Sequence, residues 1–373
     1  MVNKSNSKKP LVVIGLSGGI DSAVSAYLLL QQGYEVIGLF MQNWDSAANF
    51  ETNYQSKTDQ CDAQVDYEDA KKVADHLGIK LYHKKFIKEY WDDVFNYFIN
   101  EYQHNRTPNP DVLCNKYIKF KAFYDYVVKE FNCDYIAMGH YAKVEHDGPI
   151  SYLKLCKDQN KDQTYFLCEL SQDQLRNVLF PLADLTKEEV RQIGVDIGLP
   201  NAKKKDSTGI CFIGERNFSV FLENYLPNQP GDIIDITTNE LIGHHIGTMY
   251  YTIGQRKGLH LGGQRERYFV CKKDLEQKII YVAPDSEEDK YLLSNYLEVN
   301  NFNWITKPTN FNNLKARFRH RQLLQPVTVE EIGTKIVVHY PLQKNIACGQ
   351  FCVLYQDGVC LGGGPIDQIK QIK

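Results

Sequence analysis

Along the first 215 residues, apolar positions follow two rhythms in alternation. Leu11-Val12-Val13-Ile14-Gly15-Leu16 is a continuous apolar run, as in a strand buried on both faces. Ala23, Val24, Ala26, Tyr27, Leu28 and Leu30 then recur at helical spacing, and Gly33 suits the position just past a helix end. A second strand follows at Glu35 to Met41, a helix at Tyr67 to Leu77 and an extended run at Lys80 to Phe86. Trp91 to Tyr102 and Tyr117 to Phe131 are helical, and Tyr135-Ile136-Ala137-Met138 returns to strand. This alternation predicts an α/β unit with a doubly wound parallel sheet.

After Cys211 the pattern changes to short strands separated by turn residues. Gly231 to Ile236 and Glu240 to Ile242 flank a Thr-Thr-Asn turn, and Tyr268 to Lys272 pairs with Lys278 to Val282 across another. Phe351 to Tyr355 and Val359 to Leu361 flank Asp357-Gly358. The reading is three domains: an α/β catalytic unit at 1–215, a small central β-rich domain at 216–290 and a C-terminal β-barrel at 291–373.

Composition narrows the class. Hydrophobic residues make up 43% and charged residues 24%, which excludes disordered and fibrous chains. No run of 18 apolar residues occurs, so no membrane partner is expected, and Met1 to Pro10 lacks the apolar stretch of a secretory signal. Ten cysteines without a signal sequence predict a cytoplasmic protein with reduced thiols, and none forms a CxxC pair. Net charge is −3, but the C-terminal domain carries a balance of +4, enough to dock a polyanion.

Ser17-Gly18-Gly19-Ile20-Asp21-Ser22 lies between the first strand and the first helix. A helix N-terminus presents unpaired N–H groups and partial positive charge, and glycines let phosphate approach the backbone. Ser17 and Ser22 add hydroxyls, and Asp21 can hold a magnesium ion. The spacing is not that of a Walker A loop. It resembles the SGGxDS loop of the ATP-pyrophosphatase (PP-loop) superfamily, which implies an adenine nucleotide alpha hydrolase-like fold. The expected ATP contacts are Gly15, Leu16, Ser17, Gly18, Gly19, Ile20, Asp21 and Ser22, with Met41 bordering the adenine and Gly139 leaving room for the nucleotide.

Two cysteines stand apart from the other eight. Cys114 follows the stiff loop Thr107-Pro108-Asn109-Pro110-Asp111, where Asn109 suits a helix cap and Pro110 the first helical position. A helix N-terminus lowers a thiol's pKa. Cys211 lies in Gly209-Ile210-Cys211-Phe212-Ile213-Gly214, flanked by glycines. The remaining cysteines read as small buried hydrophobes.

With FMQNWD (Phe40 to Asp45), TPNPDVLCN (Thr107 to Asn115), MGHYA (Met138 to Ala142), KDQTYFL (Lys161 to Leu167), GICFIG and YYTIGQRKGL (Tyr250 to Leu259), the chain resembles the tRNA-specific 2-thiouridylase family over nearly its whole length. The resemblance implies ATP- and magnesium-dependent thiolation at C2 of the wobble uridine of tRNAs for Lys, Glu and Gln. Cys211 then carries a persulfide from a cysteine desulfurase or relay protein, Cys114 is the nucleophile, and a Cys114–Cys211 disulfide forms between turnovers. Asn109, Pro110 and Asp111 contact the flipped base, while His140 and Lys161-Asp162-Gln163 contact the tRNA.

Lys315-Ala316-Arg317-Phe318-Arg319-His320-Arg321 alternates in a way that would put Arg317, Arg319 and Arg321 on one strand face, facing phosphates. Taken together with the family resemblance, Arg317, Phe318 and Gln350 are the expected RNA contacts. Two other classes remain: an amidating ligase using the same loop, and a tRNA-binding protein without catalysis. An iron–sulfur cluster on Cys114, Cys211 and Asp111 is a further alternative.

Overall fold

The computed structural model describes residues 8–45, 62–205, 218–263 and 266–371. Strands β1 (Leu11–Gly15), β2 (Glu35–Gln42), β3 (Lys80–Lys85), β4 (Tyr135–Ala137) and β7 (Val178–Leu179) form one sheet in the order β3-β2-β1-β4-β7. Every neighbouring pair is parallel. Alternate residues of β1 serve different cores, because strand side chains point to opposite faces. Val12 and Ile14 pack with Ala23, Val24 and Ala26 of α1 (Ile20–Gln31) and with Ala70, Val73 and Ala74 of α2 (Asp62–Leu77). Val13 packs on the other side with Phe86, Phe120, Phe123 and Val127. Each Val, Ile or Phe side chain among them contributes about 1.5–3 kcal/mol by leaving water. The unit is therefore covered on both faces, as a doubly wound sheet must be.

Helix α1 stops where Gly33, at φ +90°, takes the left-handed conformation that glycine adopts without steric cost. The segments Pro110–Leu113, Cys114–Ala122 and Phe123–Phe131 run on as one helix. Over Cys114–Ala122 it widens to i→i+5 bonding, a form found most often at functional sites.

Strands β8 (Gly231–Asp235), β9 (Leu241–His245), β10 (Tyr268–Asp274) and β11 (Ile279–Pro284) build the central sheet in the order β10-β11-β8-β9. The C-terminal part closes two sheets over one core, in which Leu297, Val338 and Tyr340 of one meet Ala316, Cys352 and Leu354 of the other.

One feature crosses the expected boundary. The hairpin of β5 (Lys143–Asp147) and β6 (Ile150–Lys154) leaves the parallel sheet and pairs through Lys154↔Val359 and Leu153↔Cys360 with a C-terminal strand. A segment read as catalytic unit thus completes the C-terminal sheet.

Candidate nucleotide site and thiol loop

The loop after β1 is built around Gly18 and Gly19. Gly18 sits at φ +77°, and a Cβ there would lie 2.5 Å from the Asp66 carbonyl oxygen. Gly19 caps α1 in extended conformation, and no side chain satisfies that helix end. The hydroxyl of Ser22 instead donates to the Gly19 carbonyl at 3.0 Å and accepts from the Ser17 backbone N–H at 3.2 Å. These bonds hold the turn open, with the first N–H groups of α1 directed at its mouth. An anion of phosphate size fits such a cradle.

Around the loop stand residues that pattern reading missed. The Lys187 ammonium donates to Oδ1 of Asp21 at 2.7 Å, and the Tyr141 hydroxyl donates to the same oxygen at 3.0 Å. Asn201 donates to the Gly18 carbonyl at 2.9 Å. A signal for Lys187 was present: it follows Thr186 in a Thr-x-x-Glu capping box, at the helix end where a cation is disfavoured. A buried lysine there requires an anionic partner for its ammonium, and Asp21 provides it, while Asp158 accepts from the lysine's backbone N–H.

Gly15 is where Met41 and Met138 converge: a Cβ there would meet Met138 Sδ at 2.7 Å and Met41 Cε at 3.1 Å. Met41 is buried at the carboxyl end of β2. Gly139 sits against the start of α1. A Cβ there would lie 2.9 Å from the Ser22 backbone nitrogen, so its missing side chain admits the first turn of α1.

Cys114 lies in the second turn of the long helix, buried, its N–H bonded to the Pro110 carbonyl. The preceding loop is braced from the C-terminal barrel. Thr107 N–H donates to the Cys348 carbonyl at 2.8 Å, and Gln350 Nε2 donates to the Thr107 carbonyl at 2.9 Å. Arg106 reaches the Ile366 carbonyl at 3.0 Å. Asn109 does occupy the cap position, but its side chain makes no capping bond to the helix. Pro110 is buried, and Asp111 is half-buried.

His140 is buried, and burial with the Lys119 ammonium nearby pushes its imidazole well below the ordinary range, so it is neutral at pH 7. Gln163 and Tyr141 exchange two bonds, at 2.8 and 3.0 Å, which ties the loop after β4 to the segment carrying Lys161. Lys161 and Gln163 are half-buried.

The basic row does not form. Its strand, Lys315–Arg317, ends after three residues, and Arg321 turns to φ +64°. Arg317 points inward, donating to Oδ1 of Asp162 at 2.8 Å with its guanidinium 5.4 Å from the Tyr355 ring. Phe318 is 2% exposed and packs in the barrel core. Asp162 is enclosed by Arg317, the Thr164 hydroxyl and the Cys156 N–H. Arg317, Phe318 and Asp162 are therefore interior residues here, and Gln350 braces the Thr107 loop.

Burial raises the thiols of Cys133 to about 11 and of Cys156 and Cys271 to about 12, and it also raises those of Cys168, Cys348, Cys352 and Cys360. They stay protonated, as inert core thiols should. Cys61 and Cys211 lie outside the described residues, so the disulfide expectation does too. Among the described residues, no three His, Cys, Asp or Glu side chains gather as metal ligands. None of the described helices is long and apolar enough to cross a membrane.

A parallel sheet whose first strand ends in an open glycine loop at the start of α1 defines a nucleotide-binding protein of the PP-loop, HUP-domain class. Residues 10–215 match the family model described as tRNA methyl transferase HUP domain. Residues 219–284 match the tRNA methyl transferase PRC-barrel domain, and 294–366 the aminomethyltransferase beta-barrel domain. A tRNA-specific 2-thiouridylase of Ureaplasma urealyticum is 59% identical over 368 residues, covering 97% of each chain. One of Mycoplasma capricolum is 55% identical over 374 residues, covering 97% of this chain and 99% of that one. The chain belongs to the tRNA-specific 2-thiouridylase family.

Proposed function

We propose that the protein thiolates C2 of the wobble uridine in tRNAs for Lys, Glu and Gln, consuming ATP and releasing AMP and diphosphate. The observation that carries the ATP half is the glycine turn from Ser17 to Ser22, which opens α1 with no side chain capping it. A triphosphate placed there meets backbone N–H groups and the helix dipole. The donor set also fits magnesium, which asks for one or two carboxylates beside phosphate oxygens. Asp21 would hold it, and the ion would offset phosphate charge. Met41 borders the adenine.

The uracil O2 attacks the α-phosphorus, and diphosphate leaves. C2 is then electrophilic, with AMP as leaving group. The terminal sulfur of a Cys211 persulfide attacks C2 and expels AMP. The Cys114 thiolate next attacks the Cys211 sulfur, frees the thiouridine and leaves a Cys114–Cys211 disulfide, which an external dithiol reduces. Asn109, Pro110 and Asp111 hold the extruded base, and Lys161 and Gln163 contact the surrounding tRNA, with buried His140 supporting the loop after β4 from within. The brace from Thr107 to Gln350 supports this assignment, because a base pocket needs a rigid rim. A cysteine desulfurase or relay protein loads Cys211, in the cytoplasm.

The test is nucleoside mass spectrometry of tRNA incubated with ATP, magnesium and a persulfide donor. A sulfur gain confined to the wobble uridine is expected, and Cys114→Ser and Cys211→Ser should lose it while still releasing diphosphate, because adenylation uses no sulfur. Cys114→Ser should keep the transferred sulfur on Cys211, tied to the tRNA as a mixed disulfide. Full activity in either variant would refute the relay. Activity that tracks bound iron would point to a cluster instead, and amide formation with ammonia to a ligase.

A further inference from the structure

Beside the phosphate loop lies a buried cation from a distant part of the chain. Lys187 has a side chain only 5% exposed, yet its ammonium reaches across 166 positions of sequence to Oδ1 of Asp21. The Tyr141 hydroxyl meets the same oxygen, and Oδ2 takes neither bond. Asp21 itself remains 33% exposed. We infer that Lys187 is a positioning residue for the nucleotide site: it fixes the Asp21 carboxylate through one oxygen and leaves the other for a divalent cation carried by the nucleotide. The inference rests on the ATP reading above and adds a residue to it.

Two physical needs support this role. An ionised carboxylate in the first turn of α1 would repel the triphosphate that the same helix end must receive. Pairing with Lys187 neutralises that charge without withdrawing the free oxygen. A carboxylate that holds a metal must also arrive in one orientation, and outer-shell donors supply it. The lysine is itself anchored: its backbone N–H donates to Oδ2 of Asp158 at 3.0 Å, and the Thr186–Glu189 capping box fixes the turn from which it projects. Asn201 and Lys204, further along the same segment, secure the Gly18 carbonyl and the pair Asp66 and Asp69 beside it. The segment from 186 to 205 thus forms an outer brace for the loop.

The experiment compares Lys187→Met, Lys187→Arg, Asp21→Asn and the Asp21→Asn/Lys187→Met double variant in the full-length enzyme. Calorimetry measures affinity for α,β-methylene-ATP with and without magnesium, and rapid quench measures diphosphate release with tRNA. Lys187→Met should weaken the magnesium-dependent part of the affinity by about 10–100-fold, with less effect on the metal-free analogue. Lys187→Arg should recover most of it, which also controls for misfolding. If Lys187 acts through Asp21, the double variant should be no worse than Asp21→Asn alone. Additive losses, or an unchanged magnesium response beside a lowered melting temperature, would overturn the proposal and leave a structural bridge. A wild-type enzyme that neither binds the analogue nor releases diphosphate would remove the nucleotide reading, and this inference with it.

Discussion

The ion pairs Lys187–Asp21 and Arg317–Asp162 are 2.7 and 2.8 Å long, and each joins segments more than 150 positions apart. Their cations are equally buried, at 5% side-chain exposure. The carboxylates differ. Asp162 is fully enclosed and takes its remaining bonds from Thr164 and the Cys156 backbone, whereas Asp21 keeps a third of its side chain exposed and an oxygen outside the bridge. A closed pair can only stabilise or destabilise the fold, since no ligand reaches it. A half-open pair can take part in binding. Enclosure of the anion, and not the length of the bridge, separates the two roles.

Breaking each pair should therefore give opposite profiles. The Asp21→Asn/Lys187→Met double variant, which leaves no buried charge unpaired, should lower diphosphate formation by about a thousandfold, while the urea midpoint and tRNA affinity stay close to wild type. A normal rate of release would remove Asp21 from the site. Arg317→Met should do the reverse, costing roughly 3–5 kcal/mol in urea unfolding because Asp162 is left as an unpaired buried charge. Arg317→Met combined with Asp162→Leu should regain most of that loss. Should Arg317→Met instead keep its stability and flatten the salt dependence of tRNA binding, the side chain faces RNA and the comparison fails.

A smaller effect probes the brace. Gln350→Ala removes the donor to the Thr107 carbonyl, for a cost of about 1 kcal/mol, yet thiolation should fall more than stability does, because the loop before Cys114 loosens. Equal small losses in both would leave Gln350 a purely structural contact.

The smallest effect is a pH slope. His140 is held neutral in the folded protein by burial, with Lys119 adding to the effect, so its folded pKa lies below the ordinary value of about 6.5. The unfolded chain takes up a proton first on acidification. Stability is therefore full above about pH 6.5 and lost as pH falls below it, by at most ~1.4 kcal/mol per unit from this group. His140→Asn should flatten the fall in urea midpoint between pH 7.5 and 5.5. Identical slopes would show that His140 charges in the folded state.

Reading along the chain found β1, its loop and α1 because each rests on local rules: a buried apolar run, a glycine that must turn, and helical spacing that ends at Gly33. The same holds for the hairpin turn at Asp357-Gly358. It failed where the answer lay in distant partners. The alternation from Lys315 to Arg321 looks like a strand, but Asp162 and Tyr355, far away in sequence, draw Arg317 inward, and the chain turns after it. Lys187 escaped notice for the same reason, since its purpose is visible only once Asp21 is beside it.

The β5–β6 hairpin has a consequence for synthesis. Its partner strand begins at Val359, paired with Lys154, so about 200 residues separate the two. At roughly 5–20 residues per second, the ribosome delivers the partner some 10–40 s after the hairpin has emerged. Throughout that interval the outer edge of β6 carries unpaired N–H and C=O groups. The nascent catalytic unit is thus an incomplete product, with an adhesive rim that only the last segment of the chain can cover, and its yield in a cell depends on how quickly translation finishes.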